Sequence, residues 1–136
     1  MRLWHQDLIK YLPRQQLLGQ HRECCALRGA GWGRKHSVVN YVFNYSPNRL
    51  IAYHHLIMEE IERRGYHPDP IWYRVDWRGT RLGEEKGWGN EIKVNEIKCF
   101  CRDGSAMIYP EHNRSYLEEC IENLRGKGIE INVEQM

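Results

Sequence analysis

The chain has no run approaching 18 consecutive apolar residues, so no membrane-spanning helix is expected. Its opening, MRLWHQDLIK, lacks the continuous apolar stretch of a secretory signal, and an intracellular, cytoplasmic protein is the expectation. Cysteine is too scarce and too irregular for a disulfide scaffold. There are five, an odd number, and Cys24-Cys25 are adjacent, which favours reduced thiols. The thiols and histidines form no paired CxxC unit and no His-containing metal signature, so neither a metal nor a cofactor is expected. Repeats, low-complexity tracts and interdomain linkers are also missing. What remains is 136 residues, 41% of them hydrophobic, enough for one core and one domain over residues 1–136.

A large net charge is absent too, at +2 overall, but its distribution is uneven. Residues 1–36 carry seven Lys and Arg against Asp7 and Glu23, a net +5, and the remainder carries thirteen against sixteen, a net −3. His5, His21 and His36 lie in the same basic stretch and would add charge below about pH 6.5. Such a segment suits a polyanionic partner, and it equally suits an ordinary solvated face.

Three helices follow from period and punctuation. The first opens at Pro13 and stops at Gly29, with Leu17, Cys24 and Leu27 as a core stripe, Leu18 and Cys25 beside it, and Gln15, Gly19, Arg22, Glu23 and Ala26 on another face. The second starts at Ser46-Pro47, puts Leu50, His54, Ile57 and Ile61 on one side, and ends at Arg63-Arg64-Gly65 with cations near the negative end of its dipole. A third follows Asn113, carries Tyr116, Leu117, Cys120, Ile121 and Leu124 inward, and stops at Gly126. Residues 66–111 hold Trp72, Trp77 and Trp88 among Gly, Pro and charges and read as a long irregular excursion. Alternation at Ile97, Cys99 and Cys101, and at Ile129, Ile131 and Val133, predicts a short edge β-hairpin. The fold expected is mainly α: a compact three-helix domain with that excursion and a short hairpin.

Glu23 is one carboxylate among cations and histidines on the first helix. Two readings stand side by side, a structural ion pair and a catalytic acid or base. The glycine-rich turn Gly29-Ala30-Gly31-Trp32-Gly33 before Arg34-Lys35-His36 offers N–H groups and cations to phosphates, with Trp32 as a stacking plane, or is a plain helix-ending loop with a core Trp. Tyr41, Tyr45 and Tyr53 read as packing before base stacking.

Taken in order, MRLW, QQLLGQHRE, RKHS, a Ser-Pro-started helix ending ERRGYH, and IYPEHN before the last helix, the chain resembles the pyrimidine-dimer DNA glycosylase family. The resemblance is strongest over residues 14–36 and weaker beyond residue 65. It implies a compact, mainly helical domain acting on double-stranded DNA with damaged pyrimidines, cyclobutane dimers among them; a monomer without cofactor is expected. It also implies an extruded nucleotide and two linked reactions, glycosidic cleavage and a strand break by β-elimination. Residue by residue, the nucleophilic α-amine falls on Met1 and the catalytic glutamate on Glu23. DNA contacts fall on Arg2, Arg22 and the Arg34-Lys35 pair, and His36 beside that pair is expected to join them. The family's start commonly exposes a small residue by methionine removal; Arg2 is too bulky for that, so Met1 itself is expected to stay and to supply the amine. Another family arginine falls on Ala26, with Arg28 two residues on as a displaced substitute and a further DNA contact. Two alternatives stay open: a non-catalytic nucleic-acid-binding module, and an abasic-site lyase without glycosylase activity.

Overall fold

The computed structural model describes residues 2–29, 32–33, 40–89 and 107–132. Over these it is mainly helical, with α1 (Arg14–Arg28), α2 (Pro47–Arg63) and α3 (Arg114–Gly126) at the predicted places. Local chemistry explains the starts. Ser46 Oγ accepts from the Asn48 N–H ahead of Pro47, and the Asn113 side chain accepts from the Tyr116 N–H at 2.9 Å. Pro13 precedes the first turn of α1 without a side-chain cap.

Two of the stops share one device. After α2, the Tyr66 N–H reaches Ile61 O and the Gly65 N–H reaches Glu62 O, with Gly65 at φ +91°. After α3 the same pair of bonds joins Ile129 to Leu124 and Gly128 to Arg125, with Gly128 at φ +81°. This reversal needs a left-handed residue, which glycine supplies without a Cβ clash. Gly126, expected as the stop of α3, is its last helical residue; Gly128 makes the turn.

Short 3₁₀ turns at Gln6–Tyr11, Asn40–Asn44 and Pro70–Tyr73 complete the helical content among the described residues. α1 and α2 pack against each other, and the first two of these turns lie on α2. The core joins Leu17, Cys24 and Leu27 of α1, Leu50, Tyr53, Ile57 and Ile61 of α2, and Cys120 and Leu124 of α3 to Leu3, Leu8 and Leu12 ahead of them. Arg63 and Arg64 sit at the end of α2 as expected, and both grip the buried Glu60. Arg64 also donates to Leu12 O at 2.7 Å, which ties α2 to the N-terminal segment. Burial alone would raise the Glu60 carboxyl, but its two guanidinium partners hold it below the ordinary range.

The predicted hairpin does not form over the described residues. Residues 129–132 run irregularly, with Ile131 buried, and the other alternating stretch at Ile97, Cys99 and Cys101 lies outside the described residues, as does Val133. The only β-type pairing among the described residues is an isolated bridge between Trp77 and Glu84 in the excursion. No helix among the described residues is long and apolar enough to cross a membrane.

Candidate functional site

The site begins with how the N-terminal segment is held. Arg2, Leu3 and Trp4 precede the Gln6–Tyr11 turn and receive a partner from each of the three helices. From α1, the buried Gln20 side chain donates its Nε2 to Arg2 O at 3.0 Å and accepts the Trp4 N–H on Oε1 at 2.7 Å. From α2, the Tyr53 hydroxyl lies 2.7 Å from both Trp4 O and Gln20 Oε1, its single proton serving one or the other. From α3, Tyr116 donates to Leu3 O at 2.5 Å. The backbone following residue 1 is therefore fixed by side chains in the protein interior.

Glu23 stands three residues beyond Gln20 on α1. That spacing makes the two side chains neighbours on one helix face, about 5–6 Å apart at Cβ. Glu23 is half-buried, and none of the ion pairs among the described residues includes it. Arg22 is exposed on the outer side of α1, where its guanidinium lies over Gly19, and it too is outside those ion pairs. Arg2 is half-buried, 3.4 Å from Glu119 and stacked 5.8 Å from the Trp4 ring. Met1, Arg34, Lys35 and His36 lie outside the described residues.

Arg28 requires a correction. Expected to meet DNA, it is completely buried. Its guanidinium donates to Trp72 O at 2.7 Å, Arg74 O at 2.5 Å and Trp77 O at 3.0 Å, and to His54 Nδ1 at 3.0 Å. It faces Trp72 at 5.2 Å as well. Burial lowers it to about 10, still far above neutrality, so it remains a cation whose partners are carbonyls. An arginine so occupied fastens the excursion to the end of α1. Arg78 fastens it from the other side, donating to Arg28 O and Gly29 O while stacking 4.6 Å from Trp88. Trp32 packs edge-on against Phe43 and Trp88, at 5.0 and 5.8 Å between ring centres.

One cluster went unseen in the sequence. His21 and Cys25, one turn apart on α1, meet His54 of α2, with potential ligand atoms within 4.8 Å of one another. The hydrogen bonds decide how it can be used. Arg28 can only donate, so His54 Nδ1 must accept, and a neutral His54 then carries its proton on Nε2. That proton points at His21 Nδ1, 2.8 Å away. His54 has no lone pair left for a metal unless it becomes an imidazolate, and the usual outer partner of a metal-bound histidine is a carboxylate or carbonyl, not a guanidinium. Burial, then the cations Arg28 for His54 and Arg22 for His21, lower both histidines, in keeping with a neutral chain of donors. Burial raises the Cys25 thiol to about 12, which leaves it protonated and unreactive.

Gln20 escaped the sequence reading and Arg28 was given an outward role by it, although a signal was present. Leu17, Gln20, Cys24, Leu27 and Arg28 share one helical stripe, and a polar residue in such a stripe has to find buried partners. The model of the pyrimidine dimer DNA glycosylase family matches residues 1–74, which span the held N-terminal segment, α1 and α2. No curated protein and no solved structure matches the chain.

Proposed function

The chain belongs to the pyrimidine dimer DNA glycosylase family, whose model takes in more than half of it, and from this we propose a repair enzyme with two coupled steps on double-stranded DNA. It excises damaged pyrimidines, cyclobutane dimers foremost, and then breaks the strand by β-elimination. The observation that carries this reading is the half-buried Glu23, without an ion-pair partner among the described residues, one turn from the amide that holds the backbone next to residue 1.

An α-amine suits the work. Its reference pKa of about 7.7–8.0 leaves roughly a tenth of it neutral at pH 7, whereas a surface lysine near 10.4 is less than one part in a thousand neutral. The Met1 amine attacks the anomeric carbon as the glycosidic C–N bond breaks, and the bonding pair leaves with the base. Loss of a proton from nitrogen and opening of the sugar ring give an imine, whose electron demand acidifies the adjacent carbon. Removal of a proton from that carbon forms a carbon–carbon double bond and expels the 3′ oxygen with its phosphate, and water then hydrolyses the imine to free the amine. Glu23 serves by stabilising positive charge at the anomeric carbon and by shuttling protons for ring opening and elimination. Lesions lower the cost of extrusion because damaged dinucleotides are already poorly stacked. Phosphate contacts fall to Arg2, Arg22 and the Arg34-Lys35-His36 segment.

Borohydride reduction on abasic duplex DNA tests the reading. Protein with a free N-terminus should give a covalent adduct, and protein with an uncleaved N-terminal tag should bind DNA and give none. Equal trapping by both would refute the amine and direct suspicion to a lysine such as Lys35. Binding with no adduct from the free protein would favour a non-catalytic module.

A further inference from the structure

We propose that Gln20 is a positioning residue for the N-terminal nucleophile, a role that rests on the amine reading above. One amide makes two opposed bonds to the same short segment, donating to Arg2 O at 3.0 Å and accepting from the Trp4 N–H at 2.7 Å. Together they fix both the position and the direction of the backbone at residues 2–4, much as a strand pairing would. The α-carbon of residue 1 can lie no further than one peptide step, about 3.8 Å, from that of Arg2. Holding Arg2 therefore holds the point at which residue 1 is attached, and Gln20 does so from the helix face that carries Glu23.

The amide is suited to this as an apolar residue is not. Gln20 is 1% exposed. Its oxygen receives the Trp4 N–H and is in reach of the Tyr53 hydroxyl, and its nitrogen meets a carbonyl, so donor and acceptor ends are both used. Methionine would match its length and leave Arg2 O and Trp4 N without these partners. Glutamate separates the two functions of the amide. Protonated, it accepts on one oxygen and donates from the other, as Gln20 does; ionised, it has no proton for Arg2 O and repels that carbonyl.

The test is single-turnover imine formation on abasic duplex DNA, with affinity for the same DNA and thermal unfolding measured on each preparation. Gln20→Met should slow trapping at least about 10-fold per folded molecule, with affinity within about 3-fold, because misplacing a reacting group by about an ångström costs rate more than binding. Gln20→Glu should trap at near wild-type rate at low pH and fall progressively below the wild type as its carboxyl ionises, because the same amine deprotonates in both proteins and only the variant loses the bond to Arg2 O. A ratio of variant to wild-type rate that falls with pH, per folded molecule, is something a purely structural role would not produce. Wild-type trapping by folded Gln20→Met removes the inference and leaves the amine reading intact. If Gln20→Met does not fold, the pH dependence of the Gln20→Glu to wild-type ratio decides alone, and a ratio constant with pH removes the inference. A wild type with a free N-terminus that never traps removes the amine reading and the role of Gln20 with it.

Discussion

Lowering the pH from about 7.5 to about 5 should weaken the folded state by at least ~2 kcal/mol through His112 alone. This ring is completely buried between the N-terminal turn and α3. Its Nδ1 accepts the Gln6 N–H at 3.1 Å, so the neutral ring carries its proton on Nε2 and gives it to the Tyr41 oxygen 2.7 Å away. A second proton would break the Gln6 bond and place a cation in the core. Burial first, and His5 second, push His112 from the ordinary 6.5 down to about 3. A group whose folded pKa is depressed below its unfolded value binds its proton first in the unfolded chain. Stability is therefore complete above about pH 6.5, falls as pH drops below it, and goes on falling to about pH 3. The interval from pH 6.5 to 5 is about one and a half decades at about 1.4 kcal/mol each, which gives the ~2 kcal/mol. His21 and His54, lowered in the same sense, deepen the loss over the same window. Glu60 and Asp76, held below their ordinary values, titrate under it. Urea midpoints at about pH 7.5, 6 and 5 measure the effect, with His112→Asn as the comparison. The variant should lose about 2 kcal/mol of the pH dependence whatever its stability at neutral pH. A wild type equally stable at pH 7.5 and 5, or a variant with the wild-type slope, would falsify the assignment.

Glu23→Gln keeps size and helix propensity, so thermal unfolding should hardly move, while single-turnover strand cleavage should fall at least about 10²-fold and lesion binding should hold or tighten. A lower melting temperature with cleavage per folded molecule intact would return Glu23 to the structural ion-pair reading. Replacing Arg34 and Lys35 by Ala should flatten the slope of log affinity against log salt by about two, and an unchanged slope would put the DNA on another face. Arg28→Met should leave that salt slope alone but destabilise the protein by about 3 kcal/mol or more in denaturant, because three carbonyls and His54 lose a buried donor. A flattened slope with unaltered stability would restore Arg28 as a DNA contact.

The three helices were legible because their signals are local. A proline or serine at the start, an asparagine cap and a period of 3.6 residues act within one or two turns, and Pro13, Ser46-Pro47 and Asn113 stand where the helices begin. What escaped depends on distant partners. Gln20 matters because Arg2, Trp4 and Tyr53 come to it across separations of 16 to 33 residues. His21 and His54 meet from two helices, and no spacing in one helix could announce that. The excursion read as irregular because much of its order comes from contacts with α1, where Arg28 meets its carbonyls and Trp72 and its own Arg78 reaches back to Arg28 O and Gly29 O. Of the residues expected at the site, Glu23 and Arg22 came from helix position together with the family resemblance, which places chemistry that composition cannot.

The inward course of Arg28 bears on how the outer face of α1 would meet DNA under the proposed function. Two positions along a helix are separated by about 200°, so Arg28 and Ala26 look in nearly opposite directions. Ala26 is exposed, where the resemblance implies an arginine, and Arg28 is completely buried with both terminal nitrogens bonded to interior partners. Arg28 therefore cannot stand in for a side chain at position 26. The cation left on that outer face is Arg22, one turn before Ala26. A methyl group in place of a guanidinium removes a fixed charge and opens space on the face beside Glu23. Under the proposed function, discrimination at this point then rests less on a charged contact to the damaged base and more on how weakly that base is stacked, an energy that resides in the DNA itself.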